Sequence, residues 1–485
     1  MKKAYKVTWI SLASVVGVVL ITVLIALYLV LSPKRLTSLV NKYAANFITC
    51  EYNIGKVDLT LFKSFPNVGL EIDDLVLIND SDSWESDTLA AIDECVVSLN
   101  IKKLLFDDAI IVNSCILSGG YINAYFDAEG NNNFDIFPPS EPEEPEVEPE
   151  EEATSYSIDL EKLKLNNINL RYVDMASKTA ASVTGLGLVL KGNITEEMIA
   201  GDLDLTINNV AAEINDTTSI KAAVKQITVD GKVKIAGDNI NAKTAVSTGA
   251  LAFLMTGDSN IGANYNSLNV SYNGDINNYN FIKGVTDLKV NGVTVAMDNE
   301  KYVDNANISL NSPLEFDVEK FDAKFEKSEF KFNDIIIGFM GQLAMADPDI
   351  ILNMDVNTNT IVIADAIKLI PQSMSEEMLA GINVNGNLTL NTHVEGTYNE
   401  NSMPLIAADV NLSSGYVKMA EVLPYPLTNV NTSVHADLDL NGKSDVMVKS
   451  LGARMNRTVF AASGSVKDVL NKMICNLSPH ESYVF

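Results

Sequence analysis

Two short segments near the C-terminal end contain the residue types of ion and nucleotide sites. The segment 437–442, DLDLNG, opens like a calcium-binding EF-hand loop, but its twelfth position is Val448, where a bidentate Glu is needed. The segment 441–444, NGKS, ends like a phosphate-binding loop, yet Asp437 replaces the first glycine of that loop. The flanking residues alternate between apolar and polar, which is typical of a strand. We therefore expect a hairpin turn here, without bound calcium or nucleotide.

The side chains that usually act as nucleophiles, bases or metal ligands are scattered. His393, His435 and His480 lie outside any HExxH pattern, and the chain has no GxSxG segment that could present a serine nucleophile. The sequence therefore predicts a protein that is not an enzyme and has no cofactor or metal site.

The four cysteines, Cys50, Cys95, Cys115 and Cys475, form no CxxC pair and have no other metal-site spacing. A chain of 485 residues does not need a disulfide framework. Cys95 and Cys115 lie on two segments that can pair as a hairpin, so a disulfide between them is geometrically possible. The spacing alone leaves open whether it forms.

The chain is strongly acidic, with 35 Lys and Arg against 63 Asp and Glu and a net charge of −28. It has no long basic run that could neutralise a phosphate backbone, so we expect no nucleic-acid partner. Part of the acidity lies in residues 138–153, which contain eight Glu and five Pro and have no apolar periodicity. Such a segment remains extended and solvated, and we interpret it as a linker.

Residues 7–31 form an uncharged stretch of 25 residues, which as a helix would extend over about 37 Å and cross a bilayer. A cleaved signal peptide is the alternative, but its apolar part is usually shorter, and no small-residue cleavage site follows Leu31. The remaining sequence has no second apolar stretch of this length. We expect an uncleaved single-pass anchor with residues 1–6 in the cytoplasm and the body of the protein exported.

A short helix and a β-meander are predicted between the anchor and the linker. Apolar residues recur at helical spacing after Pro33, which predicts an amphipathic helix that lies either on the membrane surface or against the first sheet. The following residues alternate and are interrupted by turn residues, which predicts successive strands. Asp73-Asp74 and Gly119-Gly120 are expected to be turns. This first module covers residues 32–137.

Beyond the linker, residues 154–473 alternate many times, so that each predicted strand has one apolar and one polar face. The predicted tight turns are Asn-Gly pairs, at 273–274, 291–292, 385–386 and 441–442. The few segments with helical spacing are 360–370, 375–379 and 466–473. At roughly 11 residues for a strand and its turn, this region would contain about 28 strands.

An open sheet rarely exceeds about ten strands without curling or splitting. The predicted strands must therefore either fold into several sandwiches or coil into one long groove. The alternation does not distinguish these arrangements, because both require a single apolar face on each strand.

The order of the segments and their amino-acid sequences resemble those of one protein family. Behind a single N-terminal span and a helix, segments 55–62 (GKVDLTLF) and 70–79 (LEIDDLVLIN) resemble the start of AsmA family proteins. Further stretches are similar to the C-terminal β region of that family, at 386–390, 412–417, 423–430 and 461–466. Together the resemblances cover most of the chain.

The resemblance implies a mainly β fold, in which a chorein-like module precedes a long, curled antiparallel sheet that forms a repeating β-groove with a few short helices, as in TamB-type proteins. It implies a bacterial protein held in the inner membrane by residues 7–31, with its body in the periplasm. The implied activity is the movement of phospholipids between inner and outer membrane, with membrane phospholipids and outer-membrane components as partners. The residues expected to face lipid are Leu203, Leu205, Ile207, Leu388, Leu390, Val394, Leu438 and Leu440.

Two other functions are compatible with the sequence. Family members are also linked to outer-membrane protein assembly and to protein targeting to the membrane, so a structural or regulatory envelope factor is one alternative. A surface adhesin of stacked β-sandwiches is the other, because Asn-rich strands are ordinary in such proteins.

Residues 474–485 break the alternation, so we expect an irregular tail. AsmA-like proteins commonly continue with further strands, and a sheet that ends here would leave an unpaired edge that invites aggregation. We therefore expect a truncated or frame-shifted member of the family. A short member whose tail covers the edge is the alternative.

Overall fold

A computed structural model of the protein describes most of the chain after the predicted anchor. The described residues are 32–44, 48–60, 68–79, 86–99, 110–136, 156–194, 198–298, 300–419, 421–469 and 472–480. The predicted anchor at 7–31 and the acidic linker at 138–153 lie outside them. The fold is mainly β, with predominantly antiparallel strands and few short helices, which confirms that part of the predicted fold class. The helices among the described residues are too short or too polar to cross a bilayer.

The chain divides into two compact units, one up to Asp216 and one from Thr217 onward. The division falls after the predicted linker, because the first strand after the linker pairs with the first module and the next two strands continue the sheet from it. The first unit contains α1 (Pro33–Ala44), β1 (Glu51–Thr60), β2 (Val68–Ile78), β3 (Thr88–Leu99), β4 (Ile110–Ser118), β5 (Tyr121–Phe126), β6 (Tyr156–Asp174), β7 (Thr179–Ile194) and β8 (Met198–Asn215).

The second unit is a long series of strands interrupted by two short helices. Its elements are β9 (Ser219–Ala236), β10 (Asn239–Thr248), β11 (Leu251–Thr256), β12 (Ile261–Tyr265), β13 (Ser267–Asn277), β14 (Phe281–Met297), β15 (Glu300–Asp317), β16 (Asp322–Phe332), β17 (Ile335–Ala346), β18 (Asp349–Thr358), β19 (Ile361–Val362), α2 (Ile363–Ile367), α3 (Gln372–Met378), β20 (Ile382–Tyr398), β21 (Leu405–Met419), β22 (Leu427–Asp439), β23 (Asp445–Met455), β24 (Thr458–Lys467) and β25 (Ile474–His480).

Helix α1 packs on the first strand of the first unit. Leu36 on the helix forms a buried cluster with Ile54 and Val57 of β1, and the Val57 side chain is 0% exposed. Two polar contacts fix the position of the helix, because the Val57 backbone N–H donates to Thr37 Oγ1 (3.0 Å) and the Tyr52 hydroxyl donates to the Asn41 carbonyl (2.7 Å). Of the two placements that the sequence allowed for this helix, the structure has the one against the sheet.

The sheet of the first unit begins as an antiparallel meander of β1, β2 and β3. Strand β2 continues through Asp73 and Asp74, so the predicted turn at this position is wrong. Strands β4 and β5 follow each other in one line and both pair with β3, so together they occupy one strand position of the sheet, called a lane below. The predicted turn at Gly119-Gly120 is therefore wrong as well. Both glycines have positive φ, and a Cβ on Gly120 would clash with the Ala91 carbonyl of β3, so the glycines bend the lane without ending it.

The β4–β5 lane pairs in parallel with β6, and β6, β7 and β8 continue as an antiparallel meander. In this pairing, Ile110 at the start of β4 lies opposite Tyr156 at the start of β6. The chain that joins β5 to β6 must therefore return along the lane. Ile136 packs on Leu89 and Ala90 beside Ile122, so residues 137–155 have to cover about 40 Å back to Tyr156.

The second unit is a pure antiparallel meander. Strands β10 and β11 share one lane beside β9, and β12 and β13 share the next lane between them and β14. From β14 to β25 each lane pairs with the lane that follows it in sequence, with β19 extending the β18 lane beside β20.

The strands are longer than the sequence estimate, and β15 alone has 18 residues. The estimate of about 28 strands after the linker is wrong, because it assumed roughly 11 residues for each strand and its turn. Three of the four Asn-Gly pairs that were predicted to be tight turns lie inside strands. The pair 291–292 forms a bulge in β14, where Gly292 has φ +69° and a Cβ would clash with Asn266. Only the pair 441–442 forms a turn, in which Gly442 N–H donates to the Asp439 carbonyl (3.0 Å).

Three other local predictions need correction. The helix predicted at 360–370 is present but shorter, as α2, and the helix predicted at 375–379 begins earlier, as α3. The helix predicted at 466–473 is wrong where the structure describes it, because β24 continues to Lys467. The tail predicted to be irregular forms a strand over Ile474–His480, which pairs with β24.

Candidate lipid-binding face

One face of the second unit carries apolar side chains in rows that cross successive strands. Directly opposed residues of neighbouring strands point to the same side of a sheet, so the strand register identifies the members of each row. The first row crosses β9 to β18 and contains Ile235, Ile240, Ile276, Ile282, Phe316, Ala323, Leu343 and Leu352. The second crosses β15 to β22 and contains Leu314, Phe325, Gly341, Met354, Val394, Ile406 and Leu438. The third crosses β20 to β23 and contains Leu390, Val410, Val434 and Val448.

These three rows are called the apolar face below. The large side chains of the apolar face are only half-buried, and Ala323 is its one fully buried side chain. The interior of a filled β-sandwich would bury aliphatic side chains between two sheets. The apolar face therefore lacks the burial of a sandwich core in the part of the second unit that the structure describes.

The residues predicted to face lipid divide into three groups. Leu390, Val394 and Leu438 lie in the rows of the apolar face, and Leu388 lies on the same side of β20, opposite Leu412 of β21. Leu440 does not belong to this surface, because β22 ends at Asp439 and Leu440 is 44% exposed in the turn that follows.

The other predicted residues lie in the first unit. Leu203, Leu205 and Ile207 alternate on β8 with exposed polar residues and are half-buried. Leu203 lies opposite Leu190 of β7, and Leu205 lies opposite Leu188. These leucines form apolar pairs across β7 and β8 of the first unit.

The aromatic members of the apolar face were not among the predicted residues. Phe316 and Phe325 lie in its rows, and Phe325 makes an edge contact with Phe339 of β17 at 5.3 Å between ring centroids. The signal for them was present, because the residues of β15 and β16 alternate in the same way as those of β20.

A sequence model of the AsmA family matches residues 1–303, which is more than half of the chain. The protein belongs to the AsmA family. No curated protein and no solved structure matches it. The family match ends within β15, so the resemblance of the later stretches to the C-terminal AsmA region stays a prediction. AsmA is not known as an enzyme family.

The opposite face of the AsmA sheet in the second unit is polar, and its side chains form hydrogen bonds and ion pairs between neighbouring strands. Asn241 of β10 donates to Asp275 of β13 (2.7 Å), and Lys283 of β14 forms an ion pair with Glu315 of β15. The hydrogen bond and the charge of Glu315 raise the pKa of Lys283, and the reciprocal interactions lower the pKa of Glu315. Such exposed pairs contribute little to stability but keep this face hydrated.

Two of the histidines lie on this polar face. His393 contacts Asp355 through Nδ1 (2.8 Å), and this hydrogen bond raises the histidine pKa. His435 contacts Asp409 (3.0 Å), and the pKa of Asp409 is lowered by hydrogen bonds from Lys449 and from His435. No group of three or more metal-ligating side chains is present in the described ranges.

The two motifs near the C-terminal end form a turn that satisfies its own polar groups. The Asn441 N–H donates to Asp439 Oδ1 and the Ser444 hydroxyl donates to the Asp439 carbonyl, both at 3.0 Å. Asp437 lies inside β22, opposite Asp445 of β23. The segment is a hairpin connection, as predicted.

Proposed function

We propose that this AsmA protein carries the acyl chains of phospholipids along the apolar face of its second unit, between the inner and outer membranes of a bacterial envelope. The observation that supports the proposal most is the half-burial of continuous aliphatic rows across successive strands. A protein in water does not normally expose such a large contiguous apolar surface unless something binds there.

The energetics suit this task. Two acyl chains of about 15 methylenes each cost roughly 24 kcal/mol to expose to water, at about 0.8 kcal/mol for each methylene. An apolar face that continues from strand to strand offsets this cost at each step of the movement. The lipid head group needs no dedicated site, because it can remain in water while the acyl chains contact the sheet.

The AsmA family and the large β-sheet fit a function in the envelope. We further propose that residues 7–31 anchor the chain in the inner membrane, that residues 1–6 lie in the cytoplasm and that the body lies in the periplasm. Its partners would be membrane phospholipids and outer-membrane components. A periplasm-dependent reporter fused after Phe137 should be active, and activity of a cytoplasm-dependent reporter at the same position would contradict this topology.

Lipid binding can be tested with charges placed on alternate faces of one strand. In a double variant, Leu388→Asp and Leu390→Asp introduce carboxylates on the apolar side of β20. The matched control, Thr389→Asp with Asn391→Asp, introduces the same charges on the polar side of that strand. Each full-length protein is extracted in detergent, and its phospholipid is quantified by mass spectrometry.

We expect the Leu double variant to lose at least about tenfold of the bound phospholipid, and the control to retain the wild-type amount. Hydrogen exchange of β20 in both variants checks that the sheet is intact. A wild-type protein free of lipid, or equal lipid in the two variants with intact sheets, would contradict the proposal.

A further inference from the structure

Two cysteines of the first unit lie on the same side of adjacent strands. Val97 of β3 lies opposite Cys115 of β4, and Cys95 lies opposite Leu117, so the cysteines are diagonal neighbours on one face of the sheet. Both are free thiols, and they interact closely enough for each to shift the pKa of the other, in opposite directions. Diagonal neighbours are usually farther apart than directly opposed residues, and the mutual influence of the two thiols indicates that these side chains lie close together.

The surroundings hold these two strands in register. The Ser114 hydroxyl donates to the Ser98 hydroxyl at 2.7 Å, one position along the ladder from Cys115. Cys95 is buried, with 8% of its surface exposed, whereas Cys115 is half-buried. A reagent from solvent therefore meets Cys115 first.

We propose that Cys95 and Cys115 are oxidised to an intramolecular disulfide that joins β3 to β4. This inference is independent of the proposed lipid function. The disulfide would covalently link the two strands of the first unit that residues 100–109 connect.

The oxidant is an external disulfide of the glutathione or thiol-oxidoreductase class. The Cys115 thiolate attacks one sulfur of that disulfide, forms a mixed disulfide and releases one thiolate. Cys95 then loses its proton and attacks Cys115 Sγ, which forms the internal bond and releases the second thiolate. Two protein thiols and one external disulfide give one protein disulfide and two external thiols, so hydrogen atoms and electrons balance.

The two thiols are suited to this order of attack. The interaction with Cys95 lowers the pKa of the Cys115 thiol, which favours the thiolate form of Cys115 over that of Cys95. The same contact and the burial of Cys95 raise the pKa of Cys95, so Cys95 acts second, when the mixed disulfide lies beside it.

The test uses the full-length chain in detergent with Cys50→Ser and Cys475→Ser, which leaves only the pair. The protein is treated with excess oxidised glutathione, quenched in acid, alkylated with N-ethylmaleimide and digested for mass spectrometry. We expect a cross-linked peptide pair that has lost two hydrogens, with alkylation of both cysteines reduced at least tenfold. A sample reduced with dithiothreitol should be alkylated at both positions.

Two further variants in this background test the order of attack. With Cys95→Ser, Cys115 should accumulate a glutathione adduct, and with Cys115→Ser, Cys95 should react at least tenfold more slowly. Hydrogen exchange of β3 and β4 reports whether each variant keeps its fold. A stable glutathione adduct on Cys115 in the protein that retains both cysteines, or full alkylation of both after oxidation, would overturn the proposal.

Discussion

The side of the first unit that packs beneath helix α1 and the apolar face of the second unit have the same alternating sequence pattern but different environments. Val57 in β1 is fully buried beneath α1, with Leu36 and Ile54 around it. Val434 in β22 also has aliphatic neighbours on both adjacent strands, Val410 and Val448, yet it is only half-buried.

The difference lies in what is packed above the sheet. Cross-strand neighbours alone cover roughly the flanks of a side chain, and a second layer is needed to cover its tip. In the first unit, α1 supplies that layer. Alternating apolar residues therefore predict which side chains share one face of the sheet, whereas the function of that face depends on whether another element of the chain covers it.

The largest effect on the fold should come from shortening the connection between β5 and β6 in the first unit. Deletion of 138–153 leaves only residues 137, 154 and 155 between Ile136 and Tyr156, a reach of about 14 Å against the roughly 40 Å required. We expect the parallel pairing of β6 with the β4–β5 lane to be lost, and hydrogen exchange of β6 to become fast.

The control replaces 138–153 with a Gly-Ser sequence of equal length. It should retain slow exchange in β6, because the pairing requires reach and not acidity. A deletion variant with protected β6 amides would show that the chain does not need this connection.

A buried charge should distinguish the covered face from the open one. Val57→Asp places an unpaired carboxylate in a fully buried site and should lower the free energy of unfolding of the first unit by about 4 kcal/mol or more. Val434→Asp leaves its carboxylate within reach of water and should cost about 1 kcal/mol in the second unit. Denaturant titration followed by hydrogen exchange in each unit measures both. Equal losses of unfolding free energy would mean that water is excluded from the apolar face as fully as from the core beneath α1.

A smaller effect is expected from a buried polar contact that stabilises the first unit. Asn133 is 1% exposed, accepts a hydrogen bond from the Tyr125 N–H (2.8 Å) and donates one to the Asn123 carbonyl (3.0 Å). Asn133→Ala removes both of these buried hydrogen bonds and should cost about 2 kcal/mol of unfolding free energy. The exposed neighbour Asp135 provides the control, since Asp135→Ala should change the same quantity by less than about 0.5 kcal/mol.

The smallest effect concerns the polar face. The hydrogen bond to Asp355 raises the pKa of His393 above its ordinary value of 6.5. A raised histidine pKa contributes stability below the unfolded-state pKa, and this contribution is lost as the pH rises through the folded-state value. NMR titration of His393 should give a pKa above 6.5 that falls in Asp355→Asn. An unchanged value in that variant would remove Asp355 as the cause.

Local alternation was enough to predict the faces of the strands. Val394 and Leu438 were selected from separate stretches of sequence, and the register brings them into one row through Ile406. Alternation carries this information because the side-chain period of a strand is two residues, whatever lies beside it.

The breaks between strands could not be predicted in the same way. Gly119-Gly120 and Asn291-Gly292 have the residue types of turns, but they bend lanes that continue beyond them. Whether a glycine ends a strand or bends it depends on the backbone that approaches it from the neighbouring strand, which local sequence does not reveal. The parallel pairing of β6 depends on residues that are far apart in sequence, and the tail strand β25 depends on the edge of β24.

The meander of the second unit also allows vectorial growth. Each lane pairs with the lane before it, so a newly synthesised strand can pair with a strand that has already formed. The sheet can therefore assemble in the order in which the chain is synthesised. The same connectivity makes the length of the unit modular. Adding one hairpin extends the sheet by about 10 Å without changing any earlier pairing, so duplication of hairpins can change the width of the sheet in steps.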